Sequence, residues 1–119
     1  MFNKKNIKLY LQDILDSSYA INDYVKNLDI NEFKKDRKTY SAVIREFEII
    51  GEAVGKLPEA VKNRYPKVEW QDIKDFRNLL IHQYFGVDLD MVWNVIKDDL
   101  PLLVDTVKKI LLHNKLDNY

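Results

Sequence analysis

The stretch IKLYLQDILDSSYAINDYVKNL, residues 7–28, decides the fold class. Ile7, Leu11, Ile14, Ser18, Ile21, Val25 and Leu28 recur at alternating steps of four and three. That spacing keeps them on one side of a helix turning about 100° per residue. Lys8, Gln12, Asp13, Asn22 and Lys26 fill the other side. A strand would instead alternate at every second residue. The pattern predicts a long amphipathic helix over 7–28 with one apolar seam, and such a seam needs partners to cover it.

The partners follow along the chain. Tyr40, Val43, Phe47, Ile50, Val54 and Leu57 repeat the same steps, with Arg45, Glu48 and Glu52 on the outer side. Gly51 and Gly55 lie inside this second helix, where each costs about 1 kcal/mol of helix propensity against alanine. Small residues at that spacing suit the close approach of another helix. Asp29 or Asn31 ends the first helix and caps a short turn at Glu32-Phe33-Lys34. Pro58 suits the start of a short helix over 59–64, which Tyr65-Pro66 terminates. Trp70 leads into a helix over 70–84. Its row Ile73, Phe76, Leu80 and Gln83 faces the core as far as Gln83, and Gln71, Asp75, Asn78 and His82 form a polar row. Gly86 reads as a glycine helix stop, and Val87-Asp88 opens the next element. Leu89, Val92, Trp93, Ile96, Leu100, Leu103, Val107 and Ile110 make the last seam. Pro101 should kink or break it, with Asp98-Asp99 capping a restarted helix. The tail 113–119 is polar. The expectation is one domain, residues 1–119, folded as an all-α antiparallel bundle with short connections.

Composition narrows the function. Hydrophobic residues at 46% and charged residues at 32% suit a soluble helical domain. Lys and Arg total 19, as do Asp and Glu, so a broadly basic nucleic-acid binder is excluded. Any RNA contact must come from local patches. The densest basic run is Lys34-Lys35-Asp36-Arg37-Lys38, read either as a solvated helix start or as a phosphate-contacting patch. The chain has no cysteine, which rules out disulfides and thiolate metal sites. His82 and His113 fall on different predicted helices, so no imidazole cluster forms a metal site, and neither a metal nor another cofactor is expected. The basic start Met1-Phe2-Asn3-Lys4-Lys5 is followed by no signal-peptide core, and no run is long enough to span a membrane. A cytoplasmic protein is expected.

Chemistry concentrates in Asp75-Phe76-Arg77-Asn78-Leu79-Leu80-Ile81-His82-Gln83-Tyr84. An imidazole moves protons near neutral pH. A guanidinium offers a permanent fork to a phosphate. Asn78 shares a face with His82 and can orient the ring or the phosphate. Together these are the parts of a metal-free ribonuclease, in which a 2′-hydroxyl attacks its neighbouring phosphate. One His is short of an acid–base pair. Moreover, Arg77 and His82 point about 140° apart on an ideal helix. A second copy of the helix across a two-fold axis would complete the site. The same residues also admit a plain structural role, as does Tyr84, whose ring could pack while its hydroxyl reaches water.

The run Arg77 to Tyr84 has the form Arg, four residues, His, any residue, Tyr. With Ser41-Ala42-Val43-Ile44-Arg45, Ile49-Ile50-Gly51-Glu52-Ala53, Leu57-Pro58 and Trp70, it resembles the HEPN superfamily, and specifically the HepT-like toxins, over nearly the whole chain. That resemblance implies an all-α ribonuclease toxin, active as a homodimer on an RNA substrate, with catalytic Arg77 and His82 from both protomers in one cleft. It also implies a cognate minimal nucleotidyltransferase antitoxin that transfers AMP from ATP onto Tyr84. An alternative is a non-catalytic helical module that docks on a nucleotidyltransferase and helps hold its substrate. The balanced charge leans that way; the intact Arg–His pair leans toward catalysis.

Overall fold

The seam of residues 7–28 folds as a helix that stops one turn before its pattern does. Ile7, Leu11, Ile14, Ser18, Ile21 and Val25 are all buried. Ser18 tolerates this position because its hydroxyl donates to the Ile14 carbonyl at 2.7 Å. The helix itself ends at Tyr24. Asn27 then takes the left-handed conformation at φ 67°, which asparagine tolerates better than most side chains, so the predicted reach to Leu28 is too long.

The structure is a computed structural model that describes residues 4–83 and 86–112. Its elements are α1 (Lys4–Tyr24), α2 (Ile30–Lys35), α3 (Arg37–Lys56), α4 (Glu59–Asn63), α5 (Trp70–His82), α6 (Leu89–Asn94) and α7 (Leu100–Leu112). A π-helical turn, Val95–Asp99, joins the last two. The described residues contain no strand, so the chain is all-α as the seams require. None of its described helices is long and apolar enough to cross a membrane.

α3 stands at the centre, packed against α1 and α5, while α7 closes on α1. α1 and α3 run antiparallel. The Tyr24 hydroxyl bonds the Glu46 carboxylate at 2.9 Å at one end, and the Lys56 ammonium lies 5.7 Å from the Tyr10 ring centre at the other. α5 is antiparallel to α3 as well, with Arg77 facing Gly51 and Lys74 facing Gly55.

Caps set the ends of the short elements. The Asp29 carboxylate accepts from the Glu32 amide at 2.8 Å, and the Glu32 carboxylate accepts from the Asp29 amide at 3.0 Å. This capping box starts α2, which sinks Phe33 between Tyr40 and Trp93. Asp36 caps α3, accepting from the Thr39 hydroxyl at 2.8 Å and its amide at 3.1 Å. Those bonds, the hydroxyl's above all, hold the Asp36 carboxyl below its ordinary value.

Two expected features are corrected. Gly86 is not a left-handed stop, since no described glycine has positive φ. α5 ends at His82, and Gln83 leaves the helix at φ −109°, ψ 79°, its amide still reaching the Leu79 carbonyl at 3.1 Å. Asp88 does open α6, accepting from the Asp90 and Met91 amides. The break expected at Pro101 takes the form of a π-helical turn just before it, and α7 runs on through the proline. Its ring would strike the carbonyl four residues back in a regular α-helix. The preceding turn widens instead, and the Leu100 amide reaches the Val95 carbonyl five residues back. Asp98 and Asp99 lie inside that turn and so do not cap a restarted helix.

Candidate active site on the α3–α5 face

α5 is anchored at its start by Trp70, which is buried and donates its indole N–H to the Tyr65 carbonyl at 3.0 Å. Phe76 meets Phe47 of α3 edge-on, with ring centres 5.2 Å apart, and Leu80 is buried. Gln83 is exposed, so the inward row stops at Leu80. Gln71, Asp75, Asn78 and His82 are all exposed, which is the polar row expected of this helix.

Arg77 lies between the two rows. Its stem rests on α3 where Gly51 has no side chain. A Cβ on Gly51 would overlap the Arg77 Cβ and stand 2.6 Å from its Cγ. The guanidinium donates from Nη1 to Asn78 Oδ1 at 3.1 Å. Its Nε is buried and has no hydrogen-bond partner. Among the described residues no carboxylate pairs with this cation. An unmet buried donor costs about 1–3 kcal/mol, more for a charged group, so the arrangement is retained at some expense to stability.

His82 is exposed at the last turn of α5 and forms no hydrogen bond among the described residues. It does not meet Arg77 within the chain, because Arg77 leans onto α3 while His82 continues the outward row. Asn78 links them: it accepts from Arg77 and lies one turn before His82 on the same face. Tyr84 lies outside the described residues, as do Phe85 and the tail 113–119 with His113.

An open depression of about 310 Å³ lies between the first half of α3 and the end of α5, bounded by Ser41, Ile44, Glu48, Leu80, Ile81 and Gln83. Ser41 is one turn beyond Arg37 and Lys38. The basic run 34–38 therefore sits at the end of the bundle where His82 emerges. Lys34 is engaged by Asp90 of α6 at 3.2 Å, whereas Lys35, Arg37 and Lys38 are exposed.

A family model of HepT-like ribonucleases matches residues 14–110, which include Arg77, Asn78 and His82. The chain belongs to the HepT-like ribonuclease family. Among similar proteins is one of Methanocaldococcus jannaschii, provisionally named an RNase, 39% identical over 108 residues that cover 91% of this chain and 89% of that protein. A protein of Thermococcus cleftensis named "Probable ribonuclease HepT" is 37% identical over 107 residues, 90% of this chain and 97% of its own. A provisionally named RNase of Caldanaerobacter subterraneus is 38% identical over 111 residues, 93% of this chain and 99% of its own. No solved structure matches the chain.

This HepT-like chain also holds a second concavity that its sequence did not reveal. A cavity of about 250 Å³ lies toward the other end of α5, walled by Phe47, Ile50, Ile73 and Phe76 and rimmed by Asp72 and Asp99. Burial pushes the Asp99 carboxyl above its ordinary value, and repulsion from Asp98 and Asp72 adds to this. An acidic rim repels phosphates, so this cavity is a poor seat for RNA. The described residues contain no group of three His, Cys, Asp or Glu side chains that could hold a metal ion.

Proposed function

We propose that this HepT-like protein is an endoribonuclease that cleaves RNA without a metal ion, as a two-fold homodimer whose cleft carries Arg77 and His82 of both protomers. The observation that carries the reading is Arg77: a half-buried guanidinium with no counter-charge among the described residues, its Nη1 reaching Asn78 on the exposed face. Such a group is poised for a phosphate that arrives with the substrate. The ribonuclease names of its relatives support the same chemistry.

In this mechanism one His82 takes the proton of a ribose 2′-hydroxyl. The 2′-oxygen forms its bond to the adjacent phosphorus as the bond to the 5′-oxygen breaks. The second His82 returns a proton to that leaving oxygen. Arg77 and its mate stabilise the charge on the non-bridging oxygens. Asn78 holds Arg77 in place. Lys35, Arg37 and Lys38 give the strand a local basic approach despite the chain's net charge of +0. The protein is read as a cytoplasmic toxin.

The test is cleavage of a short single-stranded RNA by the purified protein in excess chelator. The products should end in a 2′,3′-cyclic phosphate or its hydrolysed form, identified by mass spectrometry. A 2′-deoxy substitution at the scissile residue should block the cut. Loss of activity to chelator, or cleavage of the deoxy substrate, refutes the mechanism. The balanced charge favours a second reading, a non-catalytic module docked on a nucleotidyltransferase; a protein that binds such a partner but never cuts RNA would support it.

Regulation is assigned to Tyr84. A cognate minimal nucleotidyltransferase antitoxin joins its hydroxyl to the α-phosphorus of ATP and releases pyrophosphate. The residue is two beyond His82 and past the end of α5, so its AMP would bring an anion near the cleft. That anion competes with RNA for Arg77, and the adenosine obstructs the strand. Incubation with the cognate enzyme and ATP should add one AMP mass to the peptide carrying Tyr84 and silence cleavage. A Tyr84→Phe protein still silenced by AMP transfer would contradict this.

A further inference from the structure

We propose that Gly51 is the positioning residue for Arg77, fixing the guanidinium by leaving empty the space that the arginine stem fills. This rests on the reading of Arg77 as catalytic. The two glycines of α3 look equivalent in sequence, one turn apart on one face of the same helix. Their surroundings are not. A Cβ on Gly51 would overlap the Arg77 Cβ and come within 2.6 Å of Cγ, whereas one on Gly55 meets only the Lys74 Cε, at 3.7 Å. The first contact is with the root of a side chain, which cannot swing away without moving α5. The second is ordinary van der Waals contact with the far end of a flexible one.

Gly51 is buried and Gly55 is exposed. Both give up similar helix propensity, so propensity does not explain a glycine at 51. The close approach does: it lets α5 lie on α3 so that Arg77 Cβ and Cγ are held by backbone. Only the outer part of the side chain then remains free to rotate. Nε is consequently buried, and Nη1 reaches Asn78 on the outward face. The seat thus converts a long, flexible side chain into a short, aimed one. A site of this kind loses roughly 10²-fold in rate when a group is displaced by about 1 Å.

The experiment compares Gly51→Ala with Gly55→Ala in the full-length protein. It reads cleavage kinetics and the Arg77 Nε–H resonance in a ¹H–¹⁵N spectrum, identified by its disappearance in Arg77→Lys. Gly51→Ala should move that resonance and lower kcat by roughly 10²-fold, with KM changed far less, because the displaced group acts on the transition state. Gly55→Ala should leave the resonance and kcat as they are. A Gly51→Ala protein with native kcat, or with reduced kcat but an unmoved resonance, overturns the proposal.

If Gly51→Ala fails to fold, the swap Gly51→Ala with Arg77→Gly moves the missing Cβ to the facing helix. It should regain the cooperative melt that Gly51→Ala alone lacks, and a swap that stays unfolded overturns the seat. Failure of the underlying reading looks different: the native protein would then cut no RNA, or Arg77→Ala would cut it as the native protein does, and the resonance alone would decide whether Gly51 holds Arg77.

Discussion

His82→Ala should lower the rate of RNA cleavage roughly 10²–10⁴-fold, the usual contribution of a general acid–base group, while leaving the fold intact. The structural half of this expectation follows from exposure. His82 lies at the last turn of α5, is exposed, and makes no hydrogen bond among the described residues. Its removal opens no cavity and strands no partner. Alanine is also the better helix former, so thermal stability should hold or rise slightly. Single-turnover cleavage together with a circular-dichroism melt checks both halves. Native cleavage by the variant would remove His82 from the chemistry. A lost activity that tracks a lost melting transition would reduce the residue to a structural one.

Phe33→Ala should destabilise the protein by about 3–5 kcal/mol, a large share of the 5–15 kcal/mol that holds a typical domain. Phe33 is fully buried, with ring centres 6.5 Å from Tyr40 and 5.2 Å from Trp93, so one side chain joins α2, α3 and α6. α2 has only six residues, too few to persist in water unsupported, and Phe33 is its one buried side chain. The exposed Lys34–Asp90 pair cannot substitute, since surface ion pairs contribute about 0–1 kcal/mol. Urea denaturation should show the midpoint falling sharply in Phe33→Ala and hardly moving in Lys34→Ala. A larger loss in Lys34→Ala than in Phe33→Ala would mean that the ion pair, not the aromatic contact, holds α2.

The helices were legible because each buries one continuous seam, and the period of a seam survives without knowledge of its partner. Their ends were less so. α1 stops at Tyr24 because Asn27 turns left-handed, a choice the apolar pattern through Leu28 conceals. Pro101 marks a break, but its form is hidden because the usual cost of proline assumes a regular helix; the π-turn before it relieves the clash at the expense of one ladder register. Asp98 and Asp99 read as caps from sequence alone, because the cavity they line is formed by three separate stretches. For the site, the outward row of Asn78 and His82 and the poor convergence of His82 with Arg77 could be read from helical angle alone. The unequal burdens on Gly51 and Gly55 could not, since they depend on how closely α5 crosses α3 at each.

The composite site can be tested by mixing two dead proteins. Arg77→Ala and His82→Ala chains, each purified and inactive, are combined under conditions that let protomers exchange, and RNA cleavage is followed in excess chelator. A cleft built from both protomers regains one arginine and one histidine, half of each pair, so the mixture should cut RNA measurably above either variant alone though well below the native protein, yielding 2′,3′-cyclic phosphate ends. A mixture confirmed to contain mixed dimers that stays as inactive as its components would contradict a site shared across the two-fold axis.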